Sequence, residues 1–151
     1  MRSSLLSLRN GLHNISDEKA MVAFAEALAP SLHPGDLVLL KGPLGAGKTT
    51  FVKGILHALM GTEPSSVQSP TYSYVHPYQG TVPIFHFDLY RLENEETFFG
   101  LDLDAYFSVE GIALIEWPER VPSLISSERG RKIEIEISYT ECGRAVEVKG
   151  L

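Results

Sequence analysis

The stretch GPLGAGKTTF, Gly42 to Phe51, follows the run DLVLLK, Asp36 to Lys41, and its reading decides the fold. Leu37, Val38, Leu39 and Leu40 predict a buried strand, the glycines predict a tight loop, and the residues from Lys48 onward predict a helix. Gly42, Gly47, Lys48 and Thr49 stand at the G-x-x-x-x-G-K-T spacing of a P-loop. Glycines let successive backbone N–H groups turn inward as an anion-binding nest, and the helix N-terminus adds its partial positive charge. Lys48 is then placed to reach β- and γ-phosphates, and the Thr49 hydroxyl to ligate Mg²⁺. The glycine order G-x-x-G-x-G differs from the G-x-G-x-x-G of a dinucleotide fold, so the implied occupant is a nucleoside triphosphate.

Composition narrows the setting. With 151 residues the expectation is one domain, residues 1–151, around one core. Hydrophobic residues make up 44% and charged residues 21%, an ordinary globular balance, and no apolar run reaches the length of a membrane span. The net charge of -6 argues against autonomous binding to nucleic acid, because an acidic chain gains no counterion release from a phosphate backbone. The single cysteine, Cys142, has no internal disulfide partner and no ligand cluster around it, which fits a reducing cytoplasm. The start, MRSSLLSLRNGLHNIS, lacks a secretory apolar stretch and reads as a first strand or arm.

Outward from the glycine loop, Ser16 reads as a helix N-cap with Asp17 and Glu18 in the first turn, and Ala20, Met21, Phe24, Ala25 and Leu28 as an apolar stripe ending before Pro30. The loop's own helix is expected over Lys48 to Met60, with Phe51, Ile55, Leu56 and Leu59 inward and Gly61 as its stop. TYSYVHPY and TVPIFHFDLY predict a hairpin turning at Gln79 and Gly80. ENEETFFGLD predicts a short helix stopped near Gly100, IALIEW a buried strand, and RKIEIEISY with RAVEVKG a second hairpin with one wet face. The expected class is α/β, a P-loop NTPase domain whose mixed parallel and antiparallel sheet is flanked by helices.

Hydrolysis needs more than a loop. It needs an acid for Mg²⁺ or its waters and a group that positions the attacking water. Asp88 ends IFHFD and Glu116 ends IALIE, and if both strands run parallel to the loop's strand, both acids reach the ligand crevice. In SPTY, Ser69 to Tyr72, Thr71 offers a hydroxyl on the γ-phosphate side. His76 and His86 read as packing residues in apolar strands, while Trp117 fits a core role as well as a functional one. The absence of an N-K-x-D-like element favours adenine as the base.

GPLGAGKTTF, VQSPTYSYVHPY, IFHFDLYRL, EETFFGLD, YF and LIEWPER, in this order, closely resemble the TsaE (YjeE) family of P-loop ATPases over roughly Ser16 to Arg120. The resemblance implies an ATPase that binds ATP or ADP with Mg²⁺. It also implies work with the TsaD and TsaB proteins in transferring threonylcarbamoyl to adenosine 37 of ANN-decoding tRNAs, tRNA being met only indirectly. Matched residue by residue, it assigns phosphate binding to Leu44, Gly45, Ala46, Gly47 and Lys48, further cofactor binding to Thr49 and Thr50, and Mg²⁺ to Thr49 and Glu116. A hydrolytic or metal-supporting role falls to Asp88, a switch-like role to Thr71, and a place beside the nucleotide to Glu18. Pro43 stands where the family usually has an acid, and Gln68 where a lysine is common. A small-molecule kinase and a non-hydrolysing nucleotide-gated binding module are the alternatives, although a kinase also needs a lid and an acceptor pocket.

Overall fold

Strand β2 (Leu37–Lys41) is buried along LVLL because it has neighbours on both edges and helices over both faces. The computed structural model describes residues 9–107, 110–128 and 130–151. In chain order the elements are β1 (Gly11–Ile15), α1 (Glu18–Leu28), β2, α2 (Lys48–Met60), β3 (Val75–Tyr78), β4 (Ile84–Asp88), α3 (Glu95–Gly100), β5 (Ile112–Glu116), α4 (Pro122–Ser127), β6 (Lys132–Thr140) and β7 (Gly143–Lys149). They form one sheet in the order β1-β7-β6-β2-β5-β4-β3. Its centre, β6-β2-β5-β4, is parallel, while β3 and the β7-β1 pair extend the two sides antiparallel. This is the mixed sheet that the sequence predicts.

The side-chain period of two sorts the core onto two faces. Val38 and Leu40 of β2 and Leu114 of β5 pack with Met21, Ala25 and Leu28 of α1 and Phe51, Val52 and Ile55 of α2. Leu37, Leu39, Phe87 and Ile115 face the other way, onto Phe98 of α3 and Leu124 of α4. Among the described residues, no helix is long and apolar enough to cross a membrane.

Several local expectations shift. Asp17, not Ser16, caps α1, with extended backbone and a carboxylate that accepts from the Ala20 N–H at 2.8 Å. Both residue types cap well, and the helix begins at Glu18, one residue past the expected start. Helix α2 has the expected bounds and ends on Gly61 at φ 71, but Leu59 is 40% exposed while Met60 packs against the core. The β3–β4 hairpin turns through residues 79–83, and TYSY is a turn with Tyr74 at φ 71, so strand pairing starts only at Val75. The expected first strand is β1, and the part of that arm before Arg9 lies outside the described residues.

Gly54 sets how closely α1 and α2 cross. A Cβ there would lie 2.5 Å from the Val22 carbonyl oxygen and 2.6 Å from the Ala25 Cβ. Gly54→Val is therefore expected to remove about 3 kcal/mol of stability, read from the urea midpoint. A loss below about 0.5 kcal/mol would mean that the helices part without penalty.

Candidate functional site

Three adjacent parallel strands end at the same place. The register sets Leu40 of β2 beside Glu116 of β5, and Glu116 beside Asp88 of β4, so the loop after β2 lies next to both acids. Asp88 and Glu116 are 5% and 3% exposed. They point to the face occupied by α2, whose first residues are Lys48 and Thr49.

The loop between β2 and α2 holds glycine where other residues fail. A Cβ on Gly42 would come within 2.5 Å of the Ile137 carbonyl oxygen, and Gly47, at the N-cap of α2, has φ 120. From outside, the β6–β7 hairpin holds the loop by its carbonyls. The Tyr139 hydroxyl donates to Leu44 O at 2.9 Å, while Arg144 donates from Nε to Ala46 O at 3.0 Å and from Nη2 to Gly45 O at 3.5 Å. The Arg144 guanidinium also lies 4.3 Å from the centre of the Tyr139 ring.

Lys48 is buried, donating to the Gly42 and Pro43 carbonyls at 2.6 and 2.9 Å, with Nζ 4.0 Å from the centre of the Trp117 ring. Burial pulls its pKa below the ordinary lysine value, and Glu116, Glu119 and Asp88 act against that fall. The Thr49 hydroxyl reaches both Glu116 oxygens, at 2.8 and 3.1 Å. His86 approaches the same carboxylate, with Nε2 2.7 Å from Oε2. Asp88 accepts from the Ser69 hydroxyl, from Thr71 Oγ1 at 3.4 Å and from the Tyr90 N–H at 3.0 Å.

Lys48, Thr49, Thr71, Asp88, Glu116 and Trp117 line one groove of 410 Å³. Leu44, Gly45, Gly47 and Thr50 line it too, so most of the predicted residues meet there. Ala46 and Glu18 do not. They lie with Arg144 on a neighbouring cavity of 360 Å³, which Gly45, Gly47 and Thr50 share with the groove. A larger cavity of 770 Å³ sits at the opposite end of the strands and contains none of these residues. Its Arg131 and Asp36 are already paired at 2.7 Å.

The oxygen donors of Thr49 and Glu116, with Asp88 alongside, suit a hard cation such as Mg²⁺, which in phosphate sites takes one or two carboxylates and completes its shell with phosphate and water. Among the described residues there is no cluster of three or more His, Cys, Asp or Glu arranged to hold a metal by itself.

Some partners escape the sequence reading. His86 is a hydrogen-bonded neighbour of Glu116 and not merely packing, and the alternation of IFHFD, which puts His86 on the face of Asp88, was the available signal. His76 is exposed and stacks on Tyr78 with centroids 4.6 Å apart. Nothing local marks Tyr139 or Arg144 as supports of the loop. Trp117 serves in two ways, packing beside the second core cluster and covering Lys48. At the two departures from the family pattern, Pro43 is exposed and offers its carbonyl to Lys48, and Gln68 is exposed. Tyr72 is 81% exposed, and its hydroxyl accepts from Arg91 Nη2 at 3.1 Å.

Comparison with known proteins bears on the same region. Residues 15–146 match the family model described as "Threonylcarbamoyl adenosine biosynthesis protein TsaE". The chain is similar to the tRNA threonylcarbamoyladenosine biosynthesis protein TsaE of Bacillus subtilis, 37% identical over 134 residues that cover 83% of this chain and 82% of the relative. It is 40% identical to the Nostoc protein of the same name over 113 residues, 72% of this chain and 68% of the relative. The crystal structure of Bacillus subtilis YdiB superposes with a TM-score of 0.69 at 27% identity, covering 95% of this chain and 87% of that one. With its fold and its sequence in agreement, the chain belongs to the TsaE family of threonylcarbamoyl adenosine biosynthesis proteins.

Proposed function

We propose that the protein is an ATPase of cytoplasmic tRNA modification that holds Mg·ATP, and after hydrolysis Mg·ADP, in the groove beside the glycine loop. The observation that carries this reading is the convergence of Lys48, Thr49, Asp88 and Glu116 at the ends of three adjacent parallel strands. Leu44 to Thr50 embrace the phosphates, and the Lys48 ammonium exchanges the Gly42 and Pro43 carbonyls for phosphate oxygens. Thr49 and Glu116 would hold Mg²⁺, which supplies charge neutralisation at the transferred phosphoryl group. Asp88 orients the attacking water or supports the metal, and Thr71, tied to Asp88, reports the γ-phosphate to the segment around Tyr72. Glu18 faces the nucleotide from the adjoining cavity.

In this reading hydrolysis is slow alone and coupled to the TsaD and TsaB proteins, which transfer threonylcarbamoyl to adenosine 37 of ANN-decoding tRNAs. The partners make the tRNA contact, in keeping with the chain's net charge of -6. The test measures phosphate release by the protein alone and with TsaD and TsaB, together with modified tRNA formed over several turnovers in ATP or ADP. Expected are a higher release rate with the partners and repeated turnover only with ATP and this chain. Full multi-turnover modification without the chain would sink the reading, and transfer of phosphate to a small acceptor in a parallel panel would replace it with a kinase.

A further inference from the structure

We propose that His86 is a positioning residue which, by holding one oxygen of Glu116, presents the other oxygen and the Thr49 hydroxyl to the Mg²⁺ of the bound nucleotide. The inference rests on the function proposed above and assigns a task to a residue outside the groove.

The geometry starts with the strands. Parallel pairing sets His86 opposite Leu114 and Asp88 opposite Glu116, and the period of two puts His86, Asp88 and Glu116 on the face of the sheet that meets α2. His86 lies one side-chain step deeper than Asp88. It is fully buried, yet its Nε2 is 2.7 Å from Glu116 Oε2. A carboxylate brings no proton to this contact, so Nε2 carries the hydrogen and donates. Nδ1 is buried, and among the described residues it has no hydrogen-bond partner.

That unpaired nitrogen argues against a purely space-filling role. A leucine or phenylalanine would fill an apolar site without stranding a polar atom. Histidine accepts that penalty, and what it supplies in return is a donor aimed at Glu116. Its effect follows from the other contacts of the carboxylate. Thr49 reaches both oxygens with one hydroxyl, whose single hydrogen serves one oxygen at a time and stays available when a lone pair goes to a metal, so Thr49 alone does not fix the rotation of the carboxylate. His86 is then the contact that keeps Oε2 back and Oε1 forward. A ligating carboxylate fixed by a buried neighbour binds its metal more tightly than one free to rotate.

The test compares His86→Leu, which fills the volume without a donor, with His86→Gln, whose amide N–H reaches about as far as Nε2. A fluorescent ADP analogue is titrated with and without Mg²⁺, the Mg²⁺ concentration for half-maximal effect is recorded, and thermal melting monitors the fold. His86→Leu should raise the Mg²⁺ requirement about 10-fold or more, leave metal-free nucleotide affinity within about twofold, and be largely rescued by His86→Gln. An unchanged Mg²⁺ requirement in a folded His86→Leu protein would overturn the proposal, as would equal losses with and without metal. If His86→Leu does not fold, His86→Gln and His86→Asn decide, because only the longer amide reproduces the donor; equal Mg²⁺ requirements in the two overturn it. No effect of Mg²⁺ on the unaltered protein would instead overturn the nucleotide reading, and this proposal with it.

Discussion

Lys48→Ala is expected to lower ATP hydrolysis about 100-fold or more while leaving the protein folded. The side chain is buried at the start of α2, and its ammonium already sits among oxygen acceptors, the Gly42 and Pro43 carbonyls. In the proposed reaction alanine removes a cation placed to follow charge as it moves onto the β–γ bridge and the γ-oxygens. Stability responds differently. Burial lowers the pKa of Lys48, so its protonated form opposes folding at every pH below that lowered value, and removing the group removes this penalty. The lost penalty and the lost hydrogen bonds to Gly42 and Pro43 oppose one another, so the melting temperature should change little while phosphate release collapses. Unchanged hydrolysis in the folded variant would remove Lys48 from the phosphate site, and a collapsed melting temperature would make it a structural residue.

The second large effect separates the acids that stand side by side on β4 and β5. Glu116→Ala is expected to raise the Mg²⁺ requirement about 100-fold, the upper end of what disturbing a metal's surroundings costs, because Glu116 is the carboxylate that contacts Thr49. Asp88→Ala should leave nucleotide affinity within a few-fold and reduce hydrolysis about 100-fold. Asp88 answers to Ser69, Thr71 and the Tyr90 N–H, groups on the far side of the groove from the loop. Separate titrations of Mg²⁺ and nucleotide for each variant distinguish the two roles. Matching losses of metal affinity would merge them into one.

Much of this arrangement was legible from local pattern. A run of apolar residues before a glycine-rich loop specifies a buried parallel strand, and two further runs ending in Asp88 and Glu116 specify neighbours whose ends meet it. Contacts between distant residues were not legible. The bond from Tyr139 to Leu44 spans 95 positions and that from Arg144 to Ala46 spans 98, and neither tyrosine nor arginine in an alternating strand carries a mark of its partner. His86 carried one local signal, the alternation of IFHFD that puts it on the face of Asp88, but no mark of its partner. Burial looks the same in sequence whether a ring only packs or also donates to a carboxylate 30 positions away. The cap of α1 and the exposure of Leu59 depend on how the chain enters and leaves its helix, and composition does not encode that.

The hairpin that holds the glycine loop by its carbonyls also fixes when the loop is completed. Synthesis runs from the N-terminus, so Gly42 to Thr50 are made long before Tyr139 and Arg144 exist. At ordinary elongation rates that interval is roughly 5 to 20 seconds. Strand β1 waits as well, because among the described residues β7 is its sole neighbour in the sheet. During this time the nascent chain displays the whole glycine-loop sequence without its outer clamp, and one edge of the growing sheet stays open. A translation product that stops short of Tyr139 thus carries every residue of the motif and none of the hairpin contacts that shape it.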